Sequence, residues 1–278
     1  MKQYDALTCY ANRETLELLL AVSSTLEITG TLDEETSITL YFDEGGATPQ
    51  AIETLQSWLP EGTEIRIEAT RVEEQNWNAE FEASLQPVRI GERLIITQSW
   101  QPQQSDEQTL QVVIDPKMSF GTGHHESTRL ISLLLMKLDP AAKRVLDIGT
   151  GTGVLAIVAA LRGAAATIAF DNNEWAVANT IENVALNGVA NQIDVRQCEL
   201  EEIAEGEFDI ILANLHRNII IQLLPGIVQR MGANSPLLLT SGVLIEDYQS
   251  LLDAAANHGL HPIDEARENE WVATVFGK

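Results

Sequence analysis

The chain has few cysteines, few basic residues and no long apolar run. Cys9 and Cys198 are its only cysteines among 278 residues, and they lie far apart in sequence. Two distant thiols do not favour a disulfide framework or a metal cluster, so a reducing compartment, the cytoplasm, is expected. No apolar stretch approaches the ~18 residues that span a bilayer. The acidic residues Asp5 and Glu14 lie near the N-terminus, where a signal peptide has basic and then apolar residues, so a signal peptide is excluded. No membrane partner is expected.

Basic residues are scarce, since 17 Lys and Arg stand against 41 Asp and Glu, for a formal net charge of −24. Nucleic-acid binding depends on Lys and Arg contacts to phosphate, so no direct nucleic-acid partner is expected. The imbalance is uneven, because residues 1–87 carry 4 basic and 17 acidic side chains. Such a surface attracts a basic protein at low salt, although high charge can equally serve solubility alone.

Residues 1–72 are predicted to form a small α+β domain that recognises the substrate. Apolar and alternating runs predict strands at residues 4–10, 26–32, 37–42 and 63–70. Asn12 and the pair Thr48-Pro49 predict the N-terminal caps of two helices between these strands. The resulting order βαββαβ is that of a ferredoxin-like unit, which indicates a domain but no chemistry.

A linker helix and a larger α/β domain are predicted to follow. Trp77, Phe81 and Leu85 recur every four residues, which predicts an amphipathic helix over residues 73–87. Residues 88–278 begin with a hairpin around Gly91. Apolar strands are then predicted at residues 144–148, 166–170, 193–197, 208–212, 237–241 and 271–276, with helices at 154–161, 174–186, 219–231 and 245–257. This alternation indicates a parallel sheet covered on both faces, with a final antiparallel pair.

The most informative stretch is residues 145–153, Val-Leu-Asp-Ile-Gly-Thr-Gly-Thr-Gly. An apolar strand leads into a turn with three glycines, and an apolar helix follows. Open parallel sheets bind ligands at the carboxyl ends of their strands. Glycines at alternate positions remove the Cβ atoms from one side of the turn, so a ligand can lie against backbone there. Gly149 and Gly151 are therefore candidate contacts of a nucleoside-bearing cofactor. A purely structural turn is the alternative.

The glycine spacing and the next acidic residue narrow the kind of cofactor. A dinucleotide fingerprint requires a glycine where this chain has Val154, and no Gly-Lys-Ser/Thr is present for a triphosphate. A second apolar strand ends at Asp171, 22 positions after Gly149, close to the ~20-residue offset at which a carboxylate binds ribose hydroxyls. A helix cap would explain Asp171 equally well when it is taken alone; its combination with the glycine loop favours a ribose.

Residues 115–128, Asp-Pro-Lys-Met-Ser-Phe-Gly-Thr-Gly-His-His-Glu-Ser-Thr, form a second distinctive segment. Gly121 and Gly123 give it the hinges of a lid over the cofactor, and Thr128 is expected to open a helix. The adjacent histidines do not suggest a metal site, because no other His or Cys cluster accompanies them. Together with Asp-x-Gly-x-Gly-x-Gly at residues 147–153, this segment resembles the ribosomal protein L11 methyltransferases. Further matching positions are Trp77, Pro87, Gly91, Leu94, Ser99, Trp100, Ala213, Asn214, Leu215, Glu270 and Trp271.

The resemblance implies a class I methyltransferase with a Rossmann-like seven-stranded sheet, and S-adenosyl-L-methionine as its methyl donor. It also implies an enzyme that methylates amino groups of ribosomal protein L11, either free or on the ribosome. The positions that match cofactor-contacting residues of the family are Thr128, Gly149, Asp171 and Asn214. Three residues of the lid, His124, Glu126 and Ser127, replace the threonine, proline and threonine that are common in the family, which bears on lid motion and substrate range.

Other functions and the catalytic base stay open at this stage. The chain could instead methylate another protein or a small molecule, or could be a non-catalytic protein that keeps the cofactor slot and docks a basic partner. Asn214 is followed by Leu215-His216 and not by Pro-Pro-Tyr/Phe, which argues against adenine-N6 and glutamine methyltransferases. No catalytic residue is assigned, because His216 is explained equally well as a histidine on a helix surface.

Overall fold

The computed structural model describes residues 3–23, 26, 28–60, 62–63, 65–73, 85–101, 108–117 and 119–278. The chain forms two compact units, Met1–Trp77 and Asn78–Lys278, here called the small unit and the large unit. Each unit has an apolar core of its own. The linker helix predicted over residues 73–87 falls mostly on residues 74–84, which lie outside the described residues.

The described residues of the small unit form a four-stranded antiparallel sheet and two helices. Its elements are β1 (Gln3–Tyr10), α1 (Arg13–Ser23), β2 (Gly30–Asp33), β3 (Ser37–Asp43), α2 (Pro49–Ser57) and β4 (Arg66–Glu73). The strand order β2-β3-β1-β4 is that of the predicted ferredoxin-like βαββαβ unit. Leu16 and Leu19 of α1 and Leu55 of α2 are fully buried in one cluster with residues of β1 and β3.

Local signals in the sequence account for most of these elements. The Asn12 side chain accepts the Thr15 N–H at 2.9 Å, and the Thr48 hydroxyl accepts the Ala51 N–H at 3.2 Å, so both predicted caps are confirmed. Strand β2 is shorter than predicted, because only Gly30–Asp33 pairs with β3. The pairing partner, and not the apolar pattern alone, sets its start.

The large unit contains a seven-stranded sheet, a three-stranded sheet and five described helices. Its elements are β5 (Val88–Ile90), β6 (Leu94–Thr97), β7 (Leu110–Val113), α3 (Glu126–Lys137), β8 (Arg144–Ile148), α4 (Val154–Leu161), β9 (Ala166–Asp171), α5 (Glu174–Leu186), β10 (Ile193–Gln197), β11 (Ile210–Asn214), α6 (Arg217–Arg230), β12 (Leu237–Leu244), α7 (Tyr248–Asn257), β13 (His261–Glu268) and β14 (Trp271–Gly277). The large sheet has the order β10-β9-β8-β11-β12-β14-β13. Strands β8 to β12 are parallel, and β14 is antiparallel to both of its neighbours, as predicted.

Helices cover both faces of the large sheet. One apolar cluster contains buried residues of α3 and α4, such as Leu134 and Ile157, together with the three-stranded sheet. A second cluster contains buried residues of α6 and α7, such as Leu224 and Leu251. The predicted hairpin around Gly91 is the antiparallel pair β5 and β6, and β7 joins β6 in parallel. Within the described part of the chain, no helix has the length and apolar character needed to cross a membrane.

One strand is shifted from its predicted position in a way that matters for the site. Residues 208–212 were expected to be extended, whereas β11 is Ile210–Asn214. Ile210 is the first residue with a partner on both sides, since it pairs with Val145 of β8 and Leu237 of β12. Asn214 is therefore the last residue of the strand, at the carboxyl edge of the sheet.

Candidate active site

The glycine loop, residues 149–153, joins the carboxyl end of β8 to α4. Gly149, Gly151 and Gly153 have φ values of +66°, +58° and +84°, which lie in the left-handed region that favours glycine. A Cβ on Gly149 would lie 2.6 Å from Leu215 Cδ2, and one on Gly151 would fall on the carbonyl oxygen of Phe120. The absence of a side chain at these two glycines thus lets Leu215 and Phe120 of the same chain pack against the loop. The sequence pattern alone did not indicate these contacts.

Asp147 anchors the glycine loop from inside the protein. Its side chain is only 1% exposed, and it accepts the Thr150 hydroxyl at 2.7 Å and the N–H of Ala156 in the first turn of α4. Gly153 at the N-cap has no side chain to cap this helix, so the buried carboxylate takes that role. Burial raises the pKa of the Asp147 carboxyl from 3.8 to about 6.

This buried carboxyl predicts a specific pH dependence of stability. Between about pH 4 and pH 6 the folded state binds the proton and the unfolded state does not, so protonation favours folding as the pH falls. We expect the free energy of unfolding of the wild type, relative to Asp147→Asn, to rise by about 2 kcal/mol from pH 7 to pH 4. Urea denaturation of both proteins at the two pH values measures this difference, and a constant difference would contradict the assignment.

Asp171 joins the glycine loop to the end of β9. Its Oδ2 accepts the Gly151 N–H at 3.1 Å, and its Oδ1 accepts the Asn173 N–H at 3.0 Å. The cap of α5 is Asn173, whose Oδ1 accepts the Trp175 N–H at 2.8 Å, so the cap alternative for Asp171 does not describe the structure. The carboxylate is partly exposed and has further lone pairs available for ribose hydroxyls.

Thr128 and Asn214 meet at the same edge of the sheet. Asn214 Nδ2 donates to the hydroxyl of Thr128 at 3.3 Å, and Thr128 is fully buried. Asn214 Oδ1 is also buried, and it has no hydrogen-bond partner among the described residues. Because an unpaired buried acceptor is costly, this oxygen fits a ligand that brings an N–H group. The four residues matched by resemblance and Gly151 thus lie on three adjacent strand ends and the first turn of α3.

The lid segment, residues 119–125, is hydrogen-bonded to the glycine loop. The Phe120 carbonyl accepts the Thr152 N–H at 2.9 Å, and the Gly121 carbonyl accepts the Thr152 hydroxyl at 2.8 Å. Gly121 and Gly123 have φ values of +110° and +88°, a backbone region that favours glycine. The segment therefore covers the loop in this structure.

Helix α3 begins two residues before the predicted start at Thr128. His125 is its N-cap, because the ring Nδ1 accepts the Ser127 N–H at 3.1 Å. The same ring packs edge-on against Phe120 and Trp271, with centroid distances of 5.2 and 4.7 Å. Histidine is not among the usual capping residues, so the sequence carried no clear signal for this role.

The three residues that depart from the family pattern, His124, Glu126 and Ser127, each have a structural partner. Glu126 accepts a hydrogen bond from Asn269 Nδ2 at 3.0 Å, and the Ser127 carbonyl accepts one from the Ser241 hydroxyl at 2.9 Å. The ring Nδ1 of His124 lies 3.3 Å from the Thr122 hydroxyl, and burial lowers the pKa of His124. Across the described ranges, no group of three or more His, Cys, Asp or Glu side chains is arranged to hold a metal ion. His216 is exposed and caps α6 through its ring nitrogen, which accounts for its position without a catalytic role.

The topology of the large unit and the position of the site define a class of protein. The strand order, the reversed final strand and the glycine loop after the first strand of the sheet are those of the class I S-adenosylmethionine-dependent methyltransferases. The comparisons with known proteins agree with this class. The family model described as ribosomal protein L11 methyltransferase matches residues 5–278.

Individual relatives and one solved structure give the same result. A protein of Chlorobaculum parvum named ribosomal protein L11 methyltransferase is 39% identical over 267 residues, which cover 94% of this chain and 91% of that protein. A protein of Bacteroides fragilis with the same name is 34% identical over 263 residues, covering 94% and 93%. The crystal structure of ribosomal protein L11 methylase from Lactobacillus delbrueckii subsp. bulgaricus is similar with a TM-score of 0.65 and 25% identity, covering 69% of this chain and 98% of that one. The chain belongs to the ribosomal protein L11 methyltransferase family.

Proposed function

We propose that this protein transfers methyl groups from S-adenosylmethionine to amino groups of ribosomal protein L11, on lysine side chains and at the N-terminus. The observation that carries the proposal is the family match over residues 5–278, which includes the small unit. A methyltransferase for small molecules needs only a class I unit. A ribosomal protein as substrate also places the reaction in the cytoplasm.

In this proposal five residues hold the methyl donor at the carboxyl edge of the large sheet. The Asp171 carboxylate binds the ribose hydroxyls, and the backbone of the glycine loop lies along the rest of the nucleoside. Asn214 presents its unpaired Oδ1 to an N–H of the donor or of the acceptor amine, while Thr128 fixes the orientation of its amide. The complete set is Thr128, Gly149, Gly151, Asp171 and Asn214.

The methyl donor supplies an activated methyl group on a sulfonium, and the protein supplies alignment and a closed site. A lysine with a pKa of ~10.4 is protonated at neutral pH and has no lone pair to attack with. Desolvation under the lid segment favours the neutral amine. No side chain of the site is assigned as the proton acceptor.

We propose that residues 1–72, which make up most of the small unit, recognise the protein substrate. Its three described arginines already pair with carboxylates, Arg13 with Asp33, Arg66 with Glu68 and Arg71 with Asp5. The excess acidic side chains of the unit are mostly exposed, among them Glu14, Glu35 and Glu53. This surface suits a basic partner, whose approach it would steer electrostatically.

Transfer of a tritiated methyl group to an extract of hypomethylated ribosomes tests the proposal. Label in one small ribosomal protein, identified as L11 by mass spectrometry, supports it. Label in small molecules instead would assign the protein to the small-molecule methyltransferases, and label in another protein would change the substrate. No transfer at all, with cofactor binding intact, would indicate a non-catalytic protein.

A further inference from the structure

We infer that Asn183 and Thr152 are positioning residues that hold the lid segment on the glycine loop and slow the release of the cofactor. Both side chains are fully buried in the large unit. Their hydrogen bonds link Asp115, which precedes the lid segment, to Phe120 and Gly121 within it. We name the set Asp115, Phe120, Gly121, Thr152 and Asn183 the clasp.

Asn183 lies on α5 and bonds to two separate stretches of backbone. Its Oδ1 accepts the N–H of Asp115 at 2.9 Å, and its Nδ2 donates to the carbonyl of Thr152 at 2.9 Å. One partner is a donor and the other an acceptor, so only one orientation of the amide satisfies both. Asp115 lies two residues beyond the end of β7 and four residues before the lid segment.

Thr152 connects Asn183 to the lid segment at Phe120 and Gly121. Its N–H donates to the Phe120 carbonyl at 2.9 Å, and its hydroxyl donates to the Gly121 carbonyl at 2.8 Å. Asp115 is therefore linked to Phe120 and Gly121 by hydrogen bonds through Asn183 and Thr152. Lifting the lid segment breaks the buried bond from the Thr152 hydroxyl to the Gly121 carbonyl, and a buried hydrogen bond is costly to leave unmade.

Helix α5 also connects the clasp to the candidate cofactor residues. The Thr180 hydroxyl donates to the Gly151 carbonyl at 2.8 Å, and Asn179 Nδ2 donates to the Asp115 carbonyl at 2.8 Å. The helix starts three residues after Asp171. A ligand seated against Asp171 and Gly151 is therefore held by the same helix that holds the lid.

Asn187, the C-cap of α5 four residues after Asn183, offers a matched control. Its Oδ1 accepts the Val113 N–H at 2.9 Å, and its Nδ2 donates to the Val113 carbonyl at 2.7 Å. It thus ties the end of α5 to the last residue of β7, two residues before the Asp115 that Asn183 holds. Its Nδ2 also donates to the backbone carbonyl of Asn183 at 2.7 Å, and none of these three bonds involves the lid segment, the glycine loop or the Asn183 side chain. Loss of Asn187 weakens the packing of β7 without opening the clasp.

The inference rests on the proposed function, and binding of S-adenosylhomocysteine to the full chain tests it. We expect Asn183→Ala, which loses both hydrogen bonds of the side chain, to raise the dissociation rate of S-adenosylhomocysteine about tenfold or more. Asn187→Ala is expected to change that rate less than about twofold. Equal dissociation rates in the wild type and both variants would overturn the proposed role of the clasp. An equal increase of the dissociation rate in both variants would do the same.

Amide hydrogen exchange provides a readout that needs no cofactor. In the free protein, the Thr152 amide is expected to exchange faster in Asn183→Ala than in the wild type, and at the wild-type rate in Asn187→Ala. Wild-type exchange at Thr152 in both variants would contradict the inference. If the wild type does not bind S-adenosylhomocysteine, the proposed function fails, whereas bound ligand with unchanged variants means that only the clasp fails.

A pair of substitutions at Thr152 tests the inference without the asparagine variants, and so does not depend on their folding. Thr152→Val removes only the hydroxyl that donates to Gly121, and it should raise the dissociation rate severalfold. Thr152→Ser keeps that hydroxyl and should stay within about twofold of the wild type. A valine variant that releases S-adenosylhomocysteine as slowly as the serine variant would overturn the role of Thr152.

Discussion

Replacing Gly151 by alanine is expected to weaken the binding of S-adenosylhomocysteine by about 100-fold or more. Gly151 has a φ of +58°, a conformation that costs other residues about 1–2 kcal/mol, and the new Cβ would fall on the carbonyl oxygen of Phe120. Either the lid or the loop must move, which also disturbs the bond from the Gly151 N–H to Asp171. Isothermal titration calorimetry on the full chain measures the loss.

Gly188 supplies the control for backbone strain alone. Its φ of +69° is similar to that of Gly151, but a Cβ there would meet no atom within 4 Å. Gly188→Ala should therefore lose some stability and keep the affinity of the wild type. If Gly151→Ala binds S-adenosylhomocysteine as tightly as Gly188→Ala, the glycine loop is not where the cofactor lies.

Deleting residues 1–72 is expected to abolish methylation of L11 while cofactor affinity stays within about twofold of the wild type. The buried apolar cluster of the small unit contains only residues of that unit, and the two clusters of the large unit contain none of them. The large unit thus keeps its complete core and its candidate site. It loses the acidic surface that we propose for recognition.

Methyl incorporation into L11, counted by intact mass, measures this loss beside a calorimetric titration with S-adenosylhomocysteine. The titration is the control, because it reports whether the shortened chain is folded around its site. Methylation of L11 at an undiminished rate by the shortened chain would refute the role of the small unit. It would leave the assignment of the large unit intact.

Local patterns made much of the fold predictable. The caps at Asn12 and Thr48 and the apolar runs of β8 and β9 are short-range signals, and the structure has each of them. The start of β11 was not predictable from its own residues, because pairing with β8 and β12 sets it. The Asp171 carboxylate was expected at the end of a strand beside the glycine loop, and its bond to Gly151 is in accord with that expectation.

The parts of the site that escaped prediction depend on contacts between distant residues. Asn183 bonds to Thr152 and to Asp115, which are 31 and 68 positions away. A local signal existed, since Asn179, Asn183 and Asn187 recur every four residues and so share one face of α5. Side-chain amides in a row on one face of a helix indicate that a neighbouring segment has backbone N–H and C=O groups that need hydrogen-bond partners. The space over Gly149 was assigned to a ligand, whereas the structure has Leu215 beside it.

Calorimetric titration of the full chain with S-adenosylhomocysteine and with NAD, in the wild type and in Asp171→Asn, tests the central claim most directly. The account predicts one-to-one binding of S-adenosylhomocysteine and none of NAD. It also predicts that Asp171→Asn loses about 1–3 kcal/mol of binding free energy, because charge-assisted hydrogen bonds to the ribose are removed. Binding of NAD without S-adenosylhomocysteine, or an unchanged affinity in Asp171→Asn, would contradict a methyl-donor site formed by the glycine loop and Asp171.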